Sequence, residues 1–98
     1  MAGRIERLRE QLKERGVEAI FVTQPENRRY LSGFTDTAGA LLITRQECYL
    51  LTDFRYLEQA AGECPGWNIY EVKESTFASL AELLGQLKVN SLACEGGF

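Results

Sequence analysis

The residues best suited to chemistry stand where an apolar run stops, in Leu50-Leu51-Thr52-Asp53-Phe54-Arg55-Tyr56. An acid, an aromatic, a base and a second aromatic follow one another at the exit. Gly, Asn or Ser would serve if the chain only had to leave a strand. A carboxylate, a guanidinium and two flat rings are recognition chemistry. The plainer reading is that Asp53 caps a helix and accepts its backbone N–H groups, while Tyr56 and Leu57 pack inward. A second segment, Asn27-Arg28-Arg29-Tyr30-Leu31-Ser32-Gly33-Phe34, invites the same question. Its plainer reading is a short helix that buries Tyr30 and Leu31 and leaves the arginines in water.

Bond-making chemistry is largely excluded. The chain contains no histidine, which removes a Ser-His-Asp triad, a Cys-His pair and every metal site that needs imidazole. Cys48, Cys64 and Cys94 are far apart and lack C-x-x-C spacing. They read as reduced, mostly buried thiols. Asp36, Asp53, Glu58, Glu63, Glu71, Glu74 and Glu95 are scattered and read as caps or surface charges. The first apolar run leads into TQPENRRY, so no glycine-rich phosphate loop follows it.

The bulk properties set outer limits. At 98 residues the chain is one small domain, able to bury a single sheet with helices. An apolar share of 45% and a charged share of 26% are ordinary for a globular domain. A net charge of −3 offers no basic surface for nucleic acid. No apolar run approaches the ~20 residues of a membrane span, and the charged opening MAGRIERLREQLKERG has no signal-peptide core. The expected location is the cytoplasm.

These segments need elements to position them. Arg4 to Arg15 reads as an amphipathic helix with Ile5, Leu8 and Leu12 on one face, stopped by Gly16. Ala19 to Val22 is an apolar run too short for a helix and reads as a strand covered on both faces. Thr23-Gln24-Pro25-Glu26 matches a capping box, with Thr23 as cap; the short helix that follows should stop near Gly33. GALLIT (39–44) and CYLLT (48–52) are strands joined by only Arg45-Gln46-Glu47, hence an antiparallel hairpin. Asp53 then caps a helix to Ala61, closed by Gly62. WNIYEV (67–72) alternates as a strand. Ser75 or Thr76 caps a helix whose Phe77, Leu80, Leu84 and Leu87 share a face, and Ser91 to Cys94 is a last short strand. Helices alternating with strands predict a mixed α/β sheet of about five strands with helices on both faces. The expected core includes Ile20, Phe21, Val22, Leu41, Ile43, Leu50 and Ile69. The ending EGGF, directly after a strand, reads as a cut.

PENRRYLSGF, a hairpin, LLTDFRYLEQA, a strand, and a further strand closing on Glu95-Gly96 together resemble the creatinase/prolidase N-terminal domain. The resemblance spans essentially the whole chain, in order. That domain leads Xaa-Pro aminopeptidases and Xaa-Pro dipeptidases. The resemblance implies a ribonuclease H-like fold, truncated here at its C-terminal end, so that residues 1–98 are a partial domain. It implies that catalysis resides in a separate C-terminal domain. There, divalent metals, commonly a manganese pair, are held by two Asp, one His and two Glu and activate water for hydrolysis before proline. No cofactor is expected within these residues. The implied partners are that catalytic domain, a second subunit of a dimer or tetramer, and a peptide with proline in second place. In relatives of the creatinase kind, aromatic and basic residues of this domain approach a neighbouring subunit's substrate. By position, the candidates are Phe54, Arg55 and Tyr56, with Phe34 as an addition. A guanidinium at Arg55 is well shaped for a peptide carboxylate. The alternatives are a free-standing interaction module of the same fold and an unrelated nucleotide-binding α/β domain.

Overall fold

The computed structural model describes residues 4–23, 25–34 and 39–95. Among the described residues are four helices and five strands: α1 (Arg4–Arg15), β1 (Ala19–Val22), α2 (Pro25–Ser32), β2 (Ala40–Thr44), β3 (Cys48–Asp53), α3 (Leu57–Glu63), β4 (Asn68–Val72), α4 (Thr76–Leu87) and β5 (Leu92–Glu95). A single 3-10 turn, Phe54–Tyr56, separates β3 from α3. The strands form one mixed sheet in the order β4-β3-β2-β1-β5. β1, β2 and β3 make an antiparallel meander, with Ile20 opposite Ile43 and Leu41 opposite Leu50. The outer strands are parallel to their neighbours: β4 to β3 and β5 to β1.

Strand alternation sends successive side chains to opposite faces, and here both faces are covered. Leu12, Ile20, Val22, Leu41, Ile43, Leu50 and Ala60 form one core, with Ile5, Leu8 and Leu31 against it, so α1, α2 and α3 lie on that side. Ala19, Phe21, Leu42, Leu51, Leu80 and Leu83 form the other, under α4. Central positions buried on both sides explain why β1 and β2 read as unbroken apolar runs. Ile69 is only half-buried, because β4 is an edge strand.

Local chemistry fixes the ends. Gly16, at φ +69°, closes α1 in the left-handed region, and the Val17 N–H then reaches Leu12 O at 2.9 Å. In the hairpin turn the Thr44 hydroxyl accepts from the Glu47 N–H at 2.8 Å. Ser75 caps α4 by accepting from the Ala78 N–H. α2 starts at Pro25, and the Thr23 capping box includes Gln24, which lies outside the described residues.

Several boundaries and faces differ from expectation. α3 does not close at Gly62 but continues through it to Glu63, since an exposed helical glycine costs only about 1 kcal/mol relative to alanine. Phe77 is 74% exposed, because the buried stripe of α4 runs through Leu80 and Leu83. On α2 Tyr30 faces solvent and Arg28 is buried. The cysteines divide: Cys64 is buried, Cys48 half-buried and Cys94 exposed.

Candidate recognition corner

The parallel pairing of β3 with β4 brings their carboxyl ends together, Asp53 opposite Val72. α4 starts just beyond, so a shallow crevice opens there, about 280 Å³ in volume and lined by Gly39, Thr52, Asp53, Val72, Ser75 and Thr76 among others. Gly39 has a direct steric reason to lack a side chain. At φ +144° a Cβ would stand 3.1 Å from Leu51 O.

Asp53 is the hinge of the corner. Its backbone is extended (φ −75°, ψ 155°) and it is the N-cap of the 3-10 turn. Oδ1 accepts from the Arg55 backbone N–H at 2.9 Å and from Arg55 Nε at 3.1 Å. Oδ2 accepts from Arg55 Nη2 at 3.1 Å. One carboxylate thus caps the turn and grips the guanidinium at two nitrogens. The hydrogen bonds from the Arg55 side chain and then its backbone hold the Asp53 carboxyl below its ordinary pKa. The same guanidinium lies 5.4 Å from the centre of the Tyr56 ring, within cation–π range. The pair is a surface feature: the side chains are 64% exposed for Arg55 and 37% for Asp53. Phe54, between them in sequence, is 68% exposed.

The structure therefore brings Asp53, Phe54, Arg55 and Tyr56 together at one sheet end. It does not bring Phe34 with them as a surface group. Phe34 is 2% exposed and packs among Leu12, Ile20 and Cys64, so it has no face to offer a ligand. The sequence reading overlooked Arg28, which is 6% exposed and donates from Nη1 to Gly39 O at 2.6 Å. The available signal was spacing. Arg28 and Ser32 are four apart and Leu31 adjoins them, so the polar pair shares a helical stripe with a core residue. The Ser32 hydroxyl donates to Arg28 O at 2.6 Å and accepts from the Phe34 N–H at 3.1 Å.

Chemically, the corner presents a carboxylate, a guanidinium and exposed aromatic surface. Asp53, with its lowered pKa, is an anion at neutral pH and no general acid. Burial pushes the Cys64 and Cys48 thiols up, away from nucleophilic thiolate. Among the described residues no three of His, Cys, Asp and Glu cluster closely enough for a metal ion, and the sequence has no histidine. The donor set of the metal pair implied by the resemblance does not fit these residues. No helix of the described residues is long and apolar enough to cross a membrane.

Comparison with known proteins gives a consistent picture. Residues 4–98 match the family model of the creatinase/prolidase N-terminal domain. An uncharacterised peptidase of Bacillus subtilis, YqhT, is 32% identical over 94% of this chain and 26% of its own length. Among solved structures, an Xaa-Pro dipeptidase from Bacillus anthracis superposes with a TM-score of 0.88 at 36% identity, over 93% of this chain and 26% of that one. The N-terminal domain of the cytoplasmic peptidase PepQ from Mycobacterium tuberculosis gives 0.87 at 32% identity, over 97% of this chain and 74% of that one. The chain thus spans about a quarter of the full-length peptidases named here.

Proposed function

This chain belongs to the creatinase/prolidase N-terminal domain family, and we propose on that footing that it is the non-catalytic leading domain of a proline-specific metallopeptidase. The parent acts on peptides with proline in second place, as an Xaa-Pro aminopeptidase or dipeptidase. Its divalent metal pair, manganese in this reading, and its hydrolytic chemistry belong to a following catalytic domain. The leading domain associates with a second subunit and narrows the entrance to that neighbour's substrate pocket. The working compartment is the cytoplasm.

The observation that carries the substrate-facing part is the exposure of Phe54 and Arg55 on one corner. A large aromatic left in water beside a guanidinium suits a contact made with another molecule. The corner also stands on a turn set by Asp53 and backed by β3 and β4, so its position is firm.

The test is direct. The product of the complete gene, loaded with Mn²⁺, should release the first residue of an Xaa-Pro peptide, and residues 1–98 alone should be inert. A complete gene product that neither hydrolyses Xaa-Pro peptides nor contains a catalytic domain would overturn the proposal in favour of a free-standing interaction module.

A further inference from the structure

We infer that Asp53 is a positioning residue for Arg55, presetting the guanidinium that the corner offers to a peptide; this rests on the reading of the corner given under Proposed function. A cap needs one acceptor oxygen, and Oδ1 already supplies it to the Arg55 N–H at 2.9 Å. The remaining contacts exceed that need. Oδ1 also takes Nε, and Oδ2 takes Nη2, both at 3.1 Å. Arg55 is thereby held in the two-point geometry that a planar guanidinium makes with a carboxylate. Its other side is limited by the Tyr56 ring, 5.4 Å away.

An unrestrained arginine side chain at this exposure would sample many rotamers. Ordering it on contact with a ligand costs entropy. Asp53 bears that cost within the domain, before any ligand arrives. The capping bond and the grip come from one side chain two residues away, so the guanidinium is indexed to the turn itself. Phe54 leaves the turn between them and is 68% exposed.

The experiment separates capping from positioning. Asp53→Asn keeps a side-chain acceptor that caps as well as Asp and removes the charge that grips Arg55. In the full-length peptidase, Asp53→Asn should leave the melting temperature and kcat nearly unchanged and raise KM for an Xaa-Pro peptide roughly two- to five-fold, the range of an exposed ion pair. In an Arg55→Ala background the same change should have no further effect on KM. Asp53→Glu, which restores the charge, should recover part of the loss. If Arg55→Ala raises KM while Asp53→Asn leaves it unchanged or lowers it, positioning by Asp53 is wrong and the corner's substrate role stands. If neither Arg55→Ala nor Phe54→Ala changes KM, the corner does not meet substrate, and both readings fall together.

Discussion

Arg28 of α2 donates to the carbonyl of Gly39, the residue just before β2, at 2.6 Å. The side chain crosses the interval between the helix and the central hairpin and is 6% exposed. A charged group this deep is retained only where hydrogen bonds meet it. Arg28→Ala should cost about 1.5–3 kcal/mol, the worth of a hydrogen bond to a charged group, whereas exposed Arg29→Ala should be nearly neutral. Urea denaturation of the two variants side by side checks this, and equal midpoints would count against the tether.

Arg55→Ala should behave in the opposite way. Its ion pair with Asp53 is exposed, so the melting temperature should hardly move. In the full-length peptidase kcat/KM should fall by about tenfold or more, as for loss of a charge-assisted hydrogen bond in the complex. A lowered melting temperature with unchanged kcat/KM would assign Arg55 to stability alone.

The titration of Asp53 supplies a check that needs no activity. Its folded pKa lies below the ordinary carboxylate value. The stabilisation it provides is therefore present above that ordinary value and is lost as pH falls through the lowered folded pKa. Carboxyl carbon NMR should show Asp53 titrating early, and Arg55→Ala should return it towards the ordinary value. Tyr49 has the complementary sign. Its hydrogen bond to Glu47 (2.6 Å) pushes the phenol up from 10.0 to about 12. That contribution is complete below the unfolded value and vanishes as pH rises through about 12. Ultraviolet titration should find late phenols at Tyr49 and at Tyr70, which Glu82 holds up, and Glu47→Gln should restore only Tyr49 towards the normal range.

Lys88, at φ +58°, closes α4 in the left-handed region, with its N–H directed to Gly85 O and Leu84 O. A residue with a Cβ is strained there, while glycine is not. Lys88→Gly should raise stability by up to about 1 kcal/mol. Thermal melts measure it, and a fall in melting temperature would mean the lysine side chain contributes more than its backbone costs.

The thiols should react in order of access. Cys94 should be labelled first by a disulfide reagent in the native state, Cys48 slowly, and Cys64 only on unfolding. Mass spectrometry of the labelled peptides distinguishes the three.

How much of this was legible in the sequence depended on which force decided each feature. The β2–β3 hairpin was readable because GALLIT and CYLLT are apolar runs and their three-residue link leaves no other pairing, whereas the antiparallel pairing of β1 with β2 is set by tertiary packing and was not. Asp53 was readable as a cap, since Asp at a strand exit has a local hydrogen-bonding reason to be there, but it caps the 3-10 turn and not the expected helix, which starts at Leu57 with no side-chain cap. Phe34 and Arg28 were misjudged because their burial is tertiary. Phe34 follows a glycine and looks like a loop aromatic, yet it folds back under β1 and α1. Arg28 looks solvated until Gly39 O is brought to it. Phe77 fits a helical stripe in one dimension, but α4 sits over the sheet through Leu80 and Leu83. Periodicity gives a face and does not say where the opposing layer ends.

The sheet order also dictates a sequence of assembly. β2 and β3 are joined by a three-residue turn, and β1 reaches β2 through α2 alone, so these antiparallel pairings close much shorter loops than the one that returns β5. β5 instead reaches β1 across most of the chain. It is anchored by contacts whose partners lie 73 and 72 residues apart, from the Glu18 N–H to Ser91 Oγ and from the Asn90 N–H to Glu18 Oε1. That larger loop entropy is met only after the meander exists to dock on. The antiparallel strands should therefore pair before β5 docks. In the native protein β5 should also be the first to open, exchanging its amide protons through excursions that leave Leu42 and Leu51 protected.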